Sequence, residues 1–592
     1  GVERGGYNIH YVTTDYDNQT RSSFSPVDIG ADAGNFILSD ENGPAIYYTP
    51  LIPSSCNTGN QSLNGVVITD ATGIPLAGGL IPRIYYRKGA GTWFSQPGTL
   101  VGGVATNSTW NFTIVAADMG GLIVGDVVSY YVIAQDITSP AKVTSNAVGV
   151  VATNVNTVTS HPLIPSTYTV GSGLSLNGTY TVGAGGAFTT LTAAVAAYNA
   201  GCLNGPVIFS LTDASYPSET FPITINANAY ASAVNTLTIK PAAGQNPVIT
   251  GSSASAIIVL NGADFVTIDG SNGAGNNSVC PRVQSTRNLT ITNTNTVGAT
   301  AGVAVLAPAL TNGCLNVTIK NANIRSGINS VATTYGIFAG GSTIGTTTNS
   351  DHDNLLIENN GISRAHFGIT CTGSNVLYSN DNVVIQLNTI GAESSADFVT
   401  VRGVDLAFTP GVIVRANTIF NLRISTVTTT VTGVEVGSTM FGARILGNVI
   451  SGVENSNTGG WSAAGIILSS TVFPTDILIA NNMISDVKTI NYVLNSSFNA
   501  AGIRLNGGIN TRVYNNSVNL FGDVTVGTGS SSSYCLYIAS SSVNGADIRN
   551  NIFTNTTNFG VAGSIIYSVA LSSTLNPVPQ FINNNNYSGP EG

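Results

Sequence analysis

The chain of 592 residues carries 20 Lys or Arg against 29 Asp or Glu, a formal net charge of −9, and 67 glycines. So thin and acidic a charge leaves no basic stripe for a phosphate backbone and argues against nucleic acid as a partner. No apolar run approaches the roughly 18 residues a bilayer-crossing helix needs, and the abundance of short or β-branched apolar residues with Thr, Ser and Asn argues against a helical protein.

Residues 1–35 include TTDYDNQTRSSFSPVDIGAD, polar and turn-rich without a period. The opening GVERGGYNIHYV has neither the basic nor the apolar stretch of a signal peptide, so the chain reads as an internal piece of a longer polypeptide. Residues 36–155 alternate in short strands (AIYY, LNGVVITD, PRIYYRK, TWNFTIVA, DVVSYYVIAQD, AVGVVA) parted by Gly, Pro, Asn and Asp turns, the pattern of an Ig-like or fibronectin-III-like β-sandwich. Ile84, Tyr86, Trp110, Phe112, Ile114, Val128, Tyr130 and Val132 fall on alternate positions and are its expected core, the aromatics reading as core rather than as a sugar-stacking platform. Residues 156–178, rich in Ser, Thr, Gly and Pro, read as a linker.

From Thr179 the character changes. Leu191, Val195 and Tyr198 stand at helical spacing among alanines, with Gly201 able to end the helix, which predicts a helix near 187–200. The first coil of a solenoid exposes an apolar cross-section and unpaired strand edges, and this helix is placed to cap them.

Two phrases then alternate along the chain. One is an apolar run closing on Asn-x-apolar, as in LLIENNGI and VVIQLNTI; it sets Asn360, Asn388, Asn417, Asn448, Asn482, Asn516, Asn551 and Asn585 at one phase, 28 to 35 residues apart. The other is Gly-aliphatic-x-aliphatic or small, as in YGIFAG and RGVDLA. A repeat of this length is one coil of a solenoid, so residues 179–592 are expected to form a right-handed parallel β-helix. Period-two alternation stacks Ile337, Ile369, Val404, Val434, Ile466 and Ile503 in one inward column and Ile357, Ile385, Val414, Ile445 and Ile479 in another. The asparagines are expected at the bend between strands, tolerating left-handed backbone and hydrogen-bonding their copies one coil away, a structural ladder rather than a polar ligand groove.

The outward column of the glycine phrase reads Ala304, Phe338, Thr370, Asp405, Glu435, Ile467 and Arg504, which sets Asp405 and Glu435 on neighbouring coils about 5 Å apart. That spacing suits a carboxylate pair for glycosidic chemistry, and Asp405 and Glu435 are the catalytic candidates. Exposed acids that pair with Arg402, Arg415 or Arg444 are the simpler reading, and no enzyme activity is expected from this pattern alone. Calcium at Asp351, Asp353 or at Asp405 and Glu435 is the one cofactor that the oxygen donors allow, and DHDN at 351–354 otherwise reads as a polar loop. The six cysteines lack zinc spacing; Cys280 and Cys314 precede neighbouring coil strands and are a possible disulfide, while Cys371 falls in an inward slot.

The cap helix, the coils and the Asn bend resemble the right-handed parallel β-helix of pectin and pectate lyases and of many surface proteins. The longer phrases IYYTPL, ITDATGIP, GTYTVGAGGAFTTLTAAVAAYN, GPVIFSLTDASYPSETFPITI and NTLTIKPAAGQNPVITG are similar to giant secreted surface proteins of gliding Bacteroidota, which combine Ig-like and β-helix modules. That resemblance implies type IX export, an extracellular or cell-surface location, and a structural or adhesive segment of a very large surface protein or filament. It also implies that residues 1–35 close a preceding β-helix module and that the last coil leads into more of the same. The implied partners are further modules of the same polypeptide, a lateral homo-oligomer in a fibre, and a cell-surface or polysaccharide ligand; the alternative is a polysaccharide-binding or polysaccharide-cleaving β-helix.

Overall fold

A computed structural model divides the chain into two units, Gly1–Ser172 and Gly173–Gly592. It describes residues 42–572, interrupted at 52–53, 172–173, 274–286, 328, 330–332, 427–428, 460, 472–474, 491–498, 525–530 and 561–563, together with 581–589 and, of the first 41 residues, 2–6, 13–14, 16, 18, 20, 27–29 and 40.

The first unit holds two facing sheets. Ala45–Tyr47, Gln61–Thr69, Asn107–Ile114 and Thr99–Val104 form one. Val127–Gln135 runs through the centre of the other, between Arg83–Lys88 and Ser166–Val170. The alternation of these strands buries all eight expected core residues in one cluster, each at most 1% exposed. Adjacent Trp93 and Phe94 take opposite sides: Phe94 packs on that core, and Trp93 lies outside it between His161, ring centroids 4.8 Å apart, and the Arg87 guanidinium at 4.6 Å.

Residues 156–178 are not a linker. Thr157–Ser160 pairs with Val151–Asn154, and Ser166–Val170 pairs with Val127–Gln135, sending Tyr168 and Val170 into the sandwich core. Composition hid these strands, because two inward residues in five are too few to show a period. The solenoid likewise starts before Thr179, at Ser175–Val182, whose Leu176 is buried.

In the second unit three parallel sheets form the walls. Among the described residues, sheet 1 has 13 strands, from Ser175–Val182 to Phe581–Asn583; sheet 2 has 11, from Ile223–Asn226 to Ile565–Leu571; sheet 3 has 11, from Val248–Gly251 to Asn586–Ser588. A coil visits them in the order 1, 3, 2, as in Thr318–Lys320, Ala322–Arg325 and Thr334–Gly340. The fold is therefore a parallel β-helix. Both expected inward columns stack in register and are fully buried. A third column, Ile324, Ile362, Ile390, Ile419, Ile450 and Ile484, completes the core from sheet 3.

The cap is one helix, Leu191–Ala200, capped by the Thr190 side chain, which accepts from Ala193 N–H at 3.0 Å. It turns Leu191, Ala194, Val195 and Tyr198 onto the first coils. Glu219 reaches over from a loop and accepts the Leu191 and Thr192 N–H groups at 2.6 and 2.7 Å, neutralising the helix N-terminus.

At the corner between sheets 1 and 3 the asparagines form a continuous chain of hydrogen bonds. Asn388 donates its backbone N–H (2.9 Å) and its Nδ2 (3.0 Å) to Asn417 Oδ1, and its Nδ2 also donates to Ile357 O at 2.9 Å. The pattern repeats from Asn360 through Asn448, Asn482, Asn516 and Asn551 to Asn585. One detail differs from expectation: the left-handed residue is the one before the ladder asparagine. Asn359, Leu387, Ala416, Gly447, Asn481, Asn515, Asn550 and Asn584 have φ between 50° and 62°. The ladder residue is selected by its amide, and the position before it by tolerance of positive φ.

Neighbouring substitutions here have opposite expected signs. Asn417→Ala orphans buried polar groups on Asn388 and Ile385 and is expected to cost about 3 kcal/mol. Ala416→Gly relieves an Ala at φ 54° and, after the entropy of glycine, is expected to stabilise by about 0.5 kcal/mol. Urea unfolding checks both; equal effects would show that the two positions are not so divided.

Candidate functional site

The outward positions of sheet 2 are set by a glycine kink that recurs at Gly302, Gly336, Gly368, Gly403, Gly433, Gly465 and Gly502. A Cβ on Gly403 would lie 2.6 Å from Gly433 O and 2.7 Å from Ile419 Cγ2, so this position faces the core and accepts no side chain. Val404 behind it is also inward, and the outward residues of Val399–Ala407 therefore fall three apart, at Arg402 and Asp405. The expected column Ala304, Phe338, Thr370, Asp405, Glu435, Ile467, Arg504 stands in register. Beside it runs a second, which strict alternation misses: Ala301, Tyr335, Phe367, Arg402, Thr432, Ala464, Ala501, Tyr534 and Tyr567.

Arg402 joins the two columns. Its Nη1 donates to Asp405 Oδ1 at 2.7 Å and its Nε pairs with Glu435 Oε2 at 3.0 Å, while Thr432 Oγ1 donates to Glu435 Oε2 at 3.4 Å. The guanidinium lies 5.9 Å from the Phe367 ring, which stacks on Tyr335 at 5.1 Å. The three charged side chains are partly exposed, 26% for Arg402, 21% for Asp405 and 15% for Glu435. Burial pushes both carboxyls above the ordinary carboxylate range; Arg402 offsets this only in part, and the Asp405 charge adds to the rise at Glu435. Burial alone would lower Arg402, but the two acids outweigh it and hold the guanidinium more firmly protonated.

Arg504 lies two coils beyond Glu435. It donates to Asn506 Oδ1 at 2.8 Å and to Ser462 Oγ at 3.3 Å, and sits 5.7 Å from the Tyr537 ring. Tyr537 stacks on Tyr534 at 4.6 Å, and Tyr534 on Tyr567 at 6.2 Å.

Other sequence candidates lie elsewhere. The ladder asparagines from Asn360 to Asn551 are at most 1% exposed and offer no surface to a ligand. Cys314 is a free, buried thiol that donates weakly to the Leu260 and Leu306 carbonyls, and burial pushes it up to about 12; no Cys280–Cys314 bond forms, and Cys280 lies outside the described residues. Cys56 and Cys202 are disulfide-bonded. Cys371 fills its inward slot as a free thiol.

DHDN is not a simple polar loop. His352 is fully buried, its Nδ1 accepting from Cys314 N–H at 3.0 Å and its Nε2 donating to Gly340 O at 2.8 Å; desolvation drives it down to about 4, so it is neutral. Arg402 stands between Asp405 and Glu435 where a calcium ion would have to sit. Among the described residues the one group of three carboxylates with oxygens within 4.8 Å of one another is Asp40, Asp70 and Asp136, in the sandwich.

No family model matches the chain, and no curated protein matches it. Solved structures do. A structure of XylC with xylose has 11% identity and a TM-score of 0.38, covering 70% of this chain and 86% of that one. The Azotobacter vinelandii mannuronan C-5 epimerase AlgE6 A-module has 12% identity and a TM-score of 0.30, covering 68% and 95%. An alginate lyase from Paenibacillus sp. strain FPU-7 has 12% identity and a TM-score of 0.31, covering 67% and 99%. These likenesses concern the course of the backbone and assign no residue.

The raised carboxyls give a pH signature. Above the ordinary carboxylate range the unfolded chain has released protons that native Asp405 and Glu435 still hold, so their contribution is complete below that range and lost as pH rises through their raised values. Melting temperature should therefore fall less steeply for Glu435→Gln than for the native protein as pH rises above the ordinary carboxylate range. Parallel profiles would contradict burial as the cause.

Proposed function

We propose that the β-helix engages polysaccharide on the outer face of sheet 2, at the Arg402, Asp405 and Glu435 cluster. One observation carries the reading: the fold has no use for these charges. The column of the two acids accepts Ala304, Phe338, Thr370 and Ile467 on other coils, and that of Arg402 accepts Ala301, Tyr335, Phe367 and Ala464, so two acids and a guanidinium are desolvated here without structural need. Their coils are about 4.8 Å apart, close to the separation of carboxylates that cleave glycosides with retention.

A second reading rests on the ladder. Seven hydrogen-bonded asparagine steps make a stiff scaffold, which fits a structural or adhesive segment of a large extracellular surface protein of the kind exported by gliding Bacteroidota. The two are compatible, with the scaffold presenting the face.

Incubation with a panel of soluble polysaccharides, read as retention in affinity electrophoresis and as released reducing ends, tests the proposal. Retention is expected, and if cleavage accompanies it, Asp405→Asn and Glu435→Gln should each lower turnover by about a hundredfold or more while remaining folded at the assay pH. Neither retention nor cleavage by the native protein would sink it and leave the scaffold reading.

A further inference from the structure

The cluster is asymmetric in what it leaves free. Arg402 engages Asp405 through Oδ1 and Glu435 through Oε2, and Thr432 also uses Oε2. Asp405 Oδ2 and Glu435 Oε1 have no protein partner among the described residues, although both side chains are partly exposed. The atoms left for a ligand are two carboxylate oxygens, which accept hydrogen bonds and repel anions.

Charge along the face points the same way. In the two outward columns of sheet 2 the charged residues are Arg402, Asp405, Glu435 and Arg504, a sum of zero. Neither guanidinium is free: Arg402 is shared by the acids, and Arg504 is tied to Asn506 and Ser462. A uronate polymer along the axis would set about one negative charge against each coil, since coils and sugar residues both advance by about 5 Å, and the face has no surplus cation to meet it. The net charge of −9 adds long-range repulsion. Phe367 lies one coil before Arg402, and Tyr537 and the 53%-exposed Tyr567 lie three and four coils beyond Glu435 on the same face, where they offer apolar surface to the C–H faces of sugars.

We propose that this face takes an uncharged, hydroxyl-rich glycan and rejects uronate polymers, with Asp405 and Glu435 accepting from sugar hydroxyls. This rests on the polysaccharide reading and narrows its substrate class.

The native protein is run in affinity electrophoresis against soluble β-glucan and xylan, and against alginate and polygalacturonate. Retardation by a neutral polymer is expected, weakened at least tenfold by Asp405→Ala and Glu435→Ala and less by Tyr567→Ala, with no retardation by either uronate. Salt-sensitive retardation by a uronate polymer, or neutral binding that both acid substitutions leave intact, overturns the proposal while polysaccharide binding stands. Retardation by neither class overturns both. The comparison of polymers uses the native protein alone, so it decides even if a variant melts early.

Discussion

A buried amide that hydrogen-bonds its own copy one coil away is the constraint on which the solenoid depends. The turn from sheet 1 to sheet 3 is made by a single left-handed residue, and so tight a bend buries backbone groups that no strand neighbour can satisfy. Asn417 meets that need from both ends, accepting from Asn388 N–H and Nδ2 while donating to Ile385 O and Asn448 Oδ1. Because the partner must be another asparagine at the same phase, the ladder also fixes register. A slip of one residue would take each amide away from its partner amide and turn every inward isoleucine outward.

Register carries the consequence to the far side of the coil. Asp405 sits on Glu435, and Arg402 reaches both, only because each glycine-phrase strand is held at the same height as its neighbour. The glycines contribute equally. Gly403 leaves room for the Ile419 methyl and the Gly433 carbonyl, and that close approach makes the kink that sets Arg402 and Asp405 on one face. A rigid frame holding partly desolvated charges is the arrangement a recognition site needs, since nothing must be ordered when the ligand arrives.

Much of this was legible in residues alone, for physical reasons that also mark where legibility ends. Period-two alternation and an invariant-phase asparagine each recur many times, so the inward columns and the ladder could be read directly, as could Asp405 beside Glu435. Arg402 was named only as an ion-pair partner, because two consecutive inward residues break alternation and hide its column. The left-handed role went to the ladder asparagine, since the true position is held by Asn, Leu, Ala or Gly and carries no single letter. Tyr168 and Val170 were lost in a segment of linker-like composition, and His352 was read as loop because its partners, Cys314 N–H and Gly340 O, come from distant sequence. Local patterns reveal what repeats; contacts made once do not repeat.

The same division explains why the fold says little about the ligand. Strand pairing joins each coil only to its neighbours, so an outward position can pass from Ala304 through Phe338 and Thr370 to Asp405 with the frame unchanged. Backbone likeness among β-helices therefore cannot carry a specificity from one chain to another. What distinguishes this chain is the order of its outward columns: rings, then a guanidinium held by two acids, then small residues, then a second guanidinium against a stack of tyrosines. With Arg402 shared by the two acids and Arg504 hydrogen-bonded to Asn506 and Ser462, the free oxygens of Asp405 and Glu435 become the groups a ligand must satisfy, and hydroxyl donors satisfy them where carboxylates cannot.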